Sequence, residues 1–132
     1  MRKVTREIVQ AWANYQSKTI GNTSTDGQSI YLHGNRIAWH ETASRFGTTL
    51  AGWNTVTTRE RLNGLLSFFG IPDRFAQRNF EPVLVHGRDI IEIYENDAIL
   101  WDIDWQCEAE RADNLARAAE QESNRTAFIV SP

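Results

Sequence analysis

The stretch from Ile30 to Trp39 constrains this chain more than any other. Gly34-Asn35 divides two runs rich in strand formers and reads as a two-residue turn, with glycine supplying the positive φ such turns need. Folding the chain about it pairs Leu32 with Ile37 and Ile30 with Trp39 on one face. The other face receives His33 opposite Arg36 and Tyr31 opposite Ala38. One register thus sorts large apolar side chains to one side, as a half-buried antiparallel sheet demands. The chain must build a sheet and cover one face of it.

Helical spacing supplies the cover. Val4, Ile8, Ala11, Trp12 and Tyr15 stack on one helix face, with Thr5 as cap, Val4 and Val9 as a staple and Gly21 as the stop. The polar run Asn22 to Ser29 then reads as a loop. In the centre, Thr57 and Glu60 form a T-x-x-E capping box ahead of Leu62, Leu65, Leu66 and Phe69, and Gly70 and Pro72 end the helix. A third helix is predicted from Trp105 to Ser123, its narrow face of Ala109, Ala112, Leu115, Ala116 and Ala119 suited to close backbone approach. Strands are predicted at Thr48 to Trp53, Arg74 to Phe80, Val83 to Val85, Asp89 to Tyr94 and Ala98 to Ile103. Ala127 to Val130 reads as a short edge strand, and Pro82 favours an edge or a bend. This order indicates a single α+β domain over residues 1–132, a mainly antiparallel sheet with N-terminal, central and C-terminal helices.

Composition excludes several classes. With 132 residues, 41% of them hydrophobic and 23% charged, the chain can bury a core and is not a disordered tail. No run approaches about 18 apolar residues, so no membrane span is expected. No apolar segment follows the basic N-terminus, so no signal peptide is expected either. The single cysteine, Cys107, suits a reducing, cytoplasmic setting. A net charge of −3 argues against a dedicated duplex-coating protein.

Chemistry has few places to reside. At Trp53-Asn54-Thr55-Val56-Thr57-Thr58-Arg59-Glu60-Arg61, a helix start carries Arg59 and Arg61 where the helix dipole disfavours cations. Either an anionic partner sits there, or both arginines simply reach solvent beside an ordinary cap. His33 and His40 fall on the polar face of the hairpin and His86 on a turn, and no H-x-x-x-H or C-x-x-C spacing assembles a metal site. Asp102 and Asp104 share a strand face, with Glu92 a candidate third acid for Mg²⁺-dependent phosphodiester hydrolysis. Asp104 serves equally well as a helix cap, and no nucleophile or base is identified beside the pair. Cys107 near a helix start lacks a neighbouring histidine and reads as a packing residue. Trp12 and Trp39 are assigned to the core. Trp53, Trp101 and Trp105 lie at element ends, where packing competes with roles as stacking platforms or interface anchors.

Tyr31-Leu32-His33-Gly34-Asn35-Arg36-Ile37-Ala38 and Gly52-Trp53-Asn54-Thr55-Val56-Thr57-Thr58-Arg59-Glu60-Arg61-Leu62-Asn63 carry a resemblance. The sequence resembles a set of small bacteriophage proteins with an L-x-G-N-x-I-A hairpin and a G-W-x-T-x-T-T-x-x-R-L-N helix start, extending weakly to Phe75-Ala76-Gln77-Arg78-Asn79-Phe80. It covers about a third of the chain and lends no catalytic residue. It implies viral origin and a role inside the infected cell. Accessory phage proteins often block a host machine, CRISPR and restriction systems included, which is an analogy at the level of context.

Three functions follow as expectations. The first is a non-enzymatic binder of a host protein or ribonucleoprotein complex, needing neither cofactor nor metal, with Trp53, Asn54, Thr55, Arg59 and Arg61 at the contact. The second is a nucleic-acid-binding accessory protein using Arg36, Arg59, Arg61 and exposed tryptophan. The third is a small metal-dependent nuclease built on Asp102, Asp104 and a third acid.

Overall fold

The structure, a computed structural model, describes residues 2–103 and 126–130. Its order is α1 (Lys3–Ala13), β1 (Ser17–Ile20), β2 (Thr23–Asp26), β3 (Ser29–Leu32), β4 (Asn35–Thr42), β5 (Arg45–Thr48), α2 (Val56–Phe68), β6 (Arg74–Arg78), β7 (Glu81–His86), β8 (Asp89–Glu92), β9 (Ala98–Asp102) and β10 (Thr126–Val130). The class is α+β with N-terminal and central helices and antiparallel pairing at every ladder described. The helix predicted from Trp105 to Ser123 lies outside the described residues.

Two sheets form. One has seven strands in the order β1-β2-β3-β4-β5-β9-β10, the other has three in the order β6-β7-β8. Helix α1 packs on β1, β2 and β3, while α2 packs on α1, β4 and β6. Ile8, Trp12, Ile30, Leu32, Phe46, Leu62, Leu65, Leu66, Phe69, Phe75, Leu84, Ile99 and Trp101 close one core between them. Trp12 is its centre, with its ring 5.7 Å from Phe46 and 6.0 Å from Phe69 in edge-to-face contacts.

The two helices run the same way. Thr5 near the start of α1 meets Glu60 of α2 at 2.6 Å, and Trp12 near its end meets Phe69. Both helix N-termini therefore lie at one end of the molecule.

The hairpin is real, but its turn is one residue earlier than the sequence suggested. His33 (φ 52°) and Gly34 (φ 82°) occupy the turn, and Leu32 pairs with Asn35. Tyr31 then faces Arg36 and Ile30 faces Ala38, leaving Ile37 as the extra residue of a bulge. Ile30, Leu32 and Ile37 stay in the core as expected. Trp39 is buried as well, but outside that cluster. It pairs with Ser29 and lies across Gly47 of β5 on the other face of the sheet, with the Arg36 guanidinium carbon 4.3 Å above its ring.

Other boundaries also moved. Helix α1 ends at Ala13, and the segment expected to continue it or form a loop contains β1 and β2. Thr5 is not a cap but a buried residue inside α1. The predicted third strand, Thr48 to Trp53, is instead Arg45–Thr48 followed by a turn. Pro82 lies in β7, the middle strand of its sheet, opposite Gln77. The cap of α2 is Thr55, whose hydroxyl accepts the Thr58 amide at 3.1 Å, rather than Thr57.

Candidate functional site

The start of α2 carries two apolar side chains into solvent. Trp53 is 58% exposed and Val56 71% exposed, immediately before and within the first turn of α2. On the Trp53 side, Leu32, His33, Asn35, Ile37, Leu50 and three threonines enclose a cavity of about 470 Å³. On the Val56 side, Arg59, Glu60, Asn63 and Phe75 border a second of about 440 Å³. The start of α2 is thus a ridge between two hollows.

The expected contact residues divide. Trp53 and Thr55 line the first cavity. Asn54 is turned to Arg59, whose Nη1 donates to its side-chain oxygen at 2.5 Å and its carbonyl at 3.2 Å, and more distantly to Gln77 at 3.4 Å. Arg59 borders the second hollow. Arg61 is elsewhere, at 7% exposure between the helices and β2. Its Nε donates to the Thr23 hydroxyl at 3.0 Å, and its Nη1 donates to the Thr5 hydroxyl at 3.1 Å and to Glu60. Arg61 holds the core together and is not on the surface that the sequence placed it on.

Two exposed residues at this end were not singled out from sequence. Phe80, 88% exposed, sits at the tip of the β6–β7 hairpin in a turn with Asn79, both at positive φ (67° and 53°). Tyr94, 80% exposed, adjoins Glu95, whose carbonyl accepts the Gly52 amide at 2.9 Å. The Ile93 amide reaches Pro82, close behind the hairpin tip. Asn79 was the available signal, being the commonest non-glycine residue at left-handed turn positions.

The remaining candidates are held apart. The Arg45 guanidinium binds Asp102 through two nitrogens, at 2.5 and 3.2 Å, and this pairing raises the Arg45 pKa. Glu92 belongs to the three-stranded sheet, and Asp104, Trp105 and Cys107 lie outside the described residues. Trp101 is buried. His33 lies near Asn22 at the turn, 3.4 Å away. His40 is not on a polar face: it stacks on Trp12 with ring centres 4.0 Å apart, and its Nε2 is 2.9 Å from the Trp12 carbonyl. His86 Nδ1 is 2.7 Å from Asp73. Among the described residues no three His, Cys, Asp or Glu side chains are grouped to hold a metal ion. Among them, too, no helix is long and apolar enough to cross a membrane.

No curated protein and no solved structure matches the chain. Residues 1–112 match the Kyanoviridae Gp96 protein family, which includes both helices, the hairpin and the whole ridge at the start of α2. This chain therefore belongs to the Kyanoviridae Gp96 protein family, a family of phage proteins.

Proposed function

We propose that this phage protein is a non-enzymatic binder that docks on a host protein complex and inhibits or redirects it, with a defence system such as CRISPR or restriction as one class of target. One observation carries the reading: Trp53 and Val56 are both exposed at the start of α2, each lining its own hollow, with Phe80 and Tyr94 exposed at the same end. Apolar side chains gathered on a surface mark interaction sites, and Trp, Tyr and Arg are the residue types most enriched among binding hot spots. The contact comprises Trp53, Asn54, Thr55, Val56 and Arg59, with Arg61 acting behind it through the packing of α1 on α2. Membership of a phage family supports action inside an infected cell.

Affinity capture from infected host lysate, with and without nuclease, tests it. The wild-type protein should retain a host protein after nuclease treatment. A Trp53→Ser, Val56→Asp double variant should melt like the wild type and lose that protein, since neither side chain belongs to the core and an acid suits the first turn of a helix. Release by nuclease would favour the nucleic-acid reading instead. Capture undiminished in the double variant would place the contact elsewhere.

A further inference from the structure

The same end of the molecule is unevenly charged. Arg2, Lys3 and Arg6 are exposed on the opening turns of α1, and neither helix has an acid in its first turn. Among the described residues, neither Lys3 nor Arg6 pairs with a carboxylate. Arg59 is held by the neutral oxygens of Asn54 and Gln77. The two acids beside them are engaged elsewhere: Glu7, next to Arg6 on α1, pairs with Lys18 at 3.4 Å, and Glu60 is directed inward, accepting from the Thr5 hydroxyl, the Arg61 guanidinium and, at 3.4 Å, the Arg2 amide. Val56 lies one helical turn before Glu60 and shares its helix face, so the exposed aliphatic side chain borders the same hollow as Arg59 and Glu60. The parallel α1 and α2 add the positive ends of two helix dipoles. All this occurs in a chain whose net charge is −3, with Glu81 and Glu95 beside Phe80 and Tyr94 instead.

We infer that the partner contributes an acidic protein segment with an apolar anchor residue, its carboxylates facing Arg2, Lys3, Arg6 and Arg59 and its anchor seated against Val56 and Trp53. This rests on the binding reading above and names the partner's chemistry. Charge complementarity selects the acid, because like charges across a contact are disfavoured and opposite ones steer encounter. The apolar component selects protein over nucleic acid. Trp53 offers a face on which a base could stack, but Val56 offers none, and the hollow beside Trp53 is walled by the aliphatic Leu32, Ile37 and Leu50.

The test uses the full chain and labelled synthetic peptides in which a central Leu or Phe is flanked by Glu and Asp, by Lys, or by Ser, together with a single-stranded oligonucleotide. Backbone NMR shifts locate each probe. The acidic peptide should bind best, perturb the amides of Val56, Thr57 and Trp53, and weaken as salt is raised. A Lys3→Glu, Arg6→Glu variant should weaken it by about tenfold, while Lys3→Gln, Arg6→Gln gives an intermediate loss. Both variants keep the fold, since acids are favoured at a helix start. Equal binding of the basic peptide, preferential binding of the oligonucleotide, or no acidic peptide bound at this end overturns the inference. Should the captured host protein be lost from the Trp53→Ser, Val56→Asp variant yet kept by Lys3→Glu, Arg6→Glu in any salt, the binding reading stands and the acidic partner falls.

Discussion

The Arg61 guanidinium donates to the Thr5 hydroxyl at 3.1 Å, bonding α2 to α1 through a cation that the folded chain almost wholly buries. A buried charge survives only if it is paired and hydrogen-bonded, and Thr5, Thr23 and Glu60 between them meet that demand. Removing the guanidinium leaves the Thr5 and Thr23 hydroxyls without their donor and the Glu60 carboxylate without its counter-charge. Arg61→Ala is expected to destabilise by about 3 kcal/mol, the lower end for a broken buried pair because Glu60 retains some solvent. Arg61→Glu should be worse, placing two carboxylates together. Charge reversal at Arg59 alone should be nearly neutral. Denaturant melts of the three single variants check this, and an Arg61→Glu protein as stable as wild type would contradict it.

The same cluster sets a pH dependence. Burial acts to raise the Glu60 carboxyl, but the Thr5 hydroxyl, the Arg61 guanidinium and the Arg2 amide outweigh it and hold the group below its ordinary 4.5. A carboxyl depressed in the folded state contributes stability that is complete above the unfolded value and disappears as pH falls through the folded one. Thermal stability should therefore decline as pH drops below the ordinary carboxyl range. Asp26, held low by the Ser29 and Gln28 amides, acts in the same direction. In Glu60→Gln the acid side of the melting curve should be flatter. An unchanged slope would mean Glu60 titrates alike in both states.

Trp39 packs directly on Gly47, its partner across β4 and β5. A Cβ on Gly47 would come within 2.3 Å of two ring carbons of Trp39, and a rigid indole under Arg36 cannot yield cheaply. Gly47→Ala is expected to cost about 1–3 kcal/mol, as overpacking does. In a Trp39→Ala background the same change should cost almost nothing, so the two are strongly non-additive. Additive losses in a double-mutant cycle would show that the clash is not with Trp39.

These cases locate what the sequence discloses. The antiparallel sheet, α1, α2 and most of the core follow from periodicity, because Leu62, Leu65, Leu66 and Ile8, Trp12 repeat at spacings only a helix satisfies. Strands β1 and β2 escaped because Ser17–Ile20 and Thr23–Asp26 are polar, and their buried members are threonines. Thr23 and Thr25 are satisfied by bonds to Arg61 and to Ser29, Thr25 donating to the Ser29 carbonyl at 2.7 Å, and no hydropathy pattern records such partners. The bulge at Ile37 put Trp39 on the opposite face of the sheet, since one extra residue reverses the alternation beyond it. At the site, Trp53 and Arg59 were legible from their place at a helix start. Arg61 was misplaced because it is the next turn's geometry, α1 lying parallel at Thr5, that draws it inward.

Phe80 separates stability from function most directly. It occupies a two-residue hairpin turn beside Asn79, both in left-handed conformation, where glycine at the second position is the preferred solution. A bulky side chain there costs on the order of 1–2 kcal/mol, and at 88% exposure it recovers little by packing. Phe80→Gly relieves that strain but adds chain entropy to the unfolded state, so the net gain should be about 0.5–1 kcal/mol. Strain kept in a native chain against an easy remedy is what a binding residue leaves behind. Phe80→Gly should accordingly raise the melting temperature by a few degrees and weaken capture of the host protein. Phe80→Asn, also tolerant of the left-handed region, should do both to a smaller degree. If both variants are stabilised while capture is undiminished, Phe80 only closes its turn, and the contact is confined to the ridge of Trp53 and Val56.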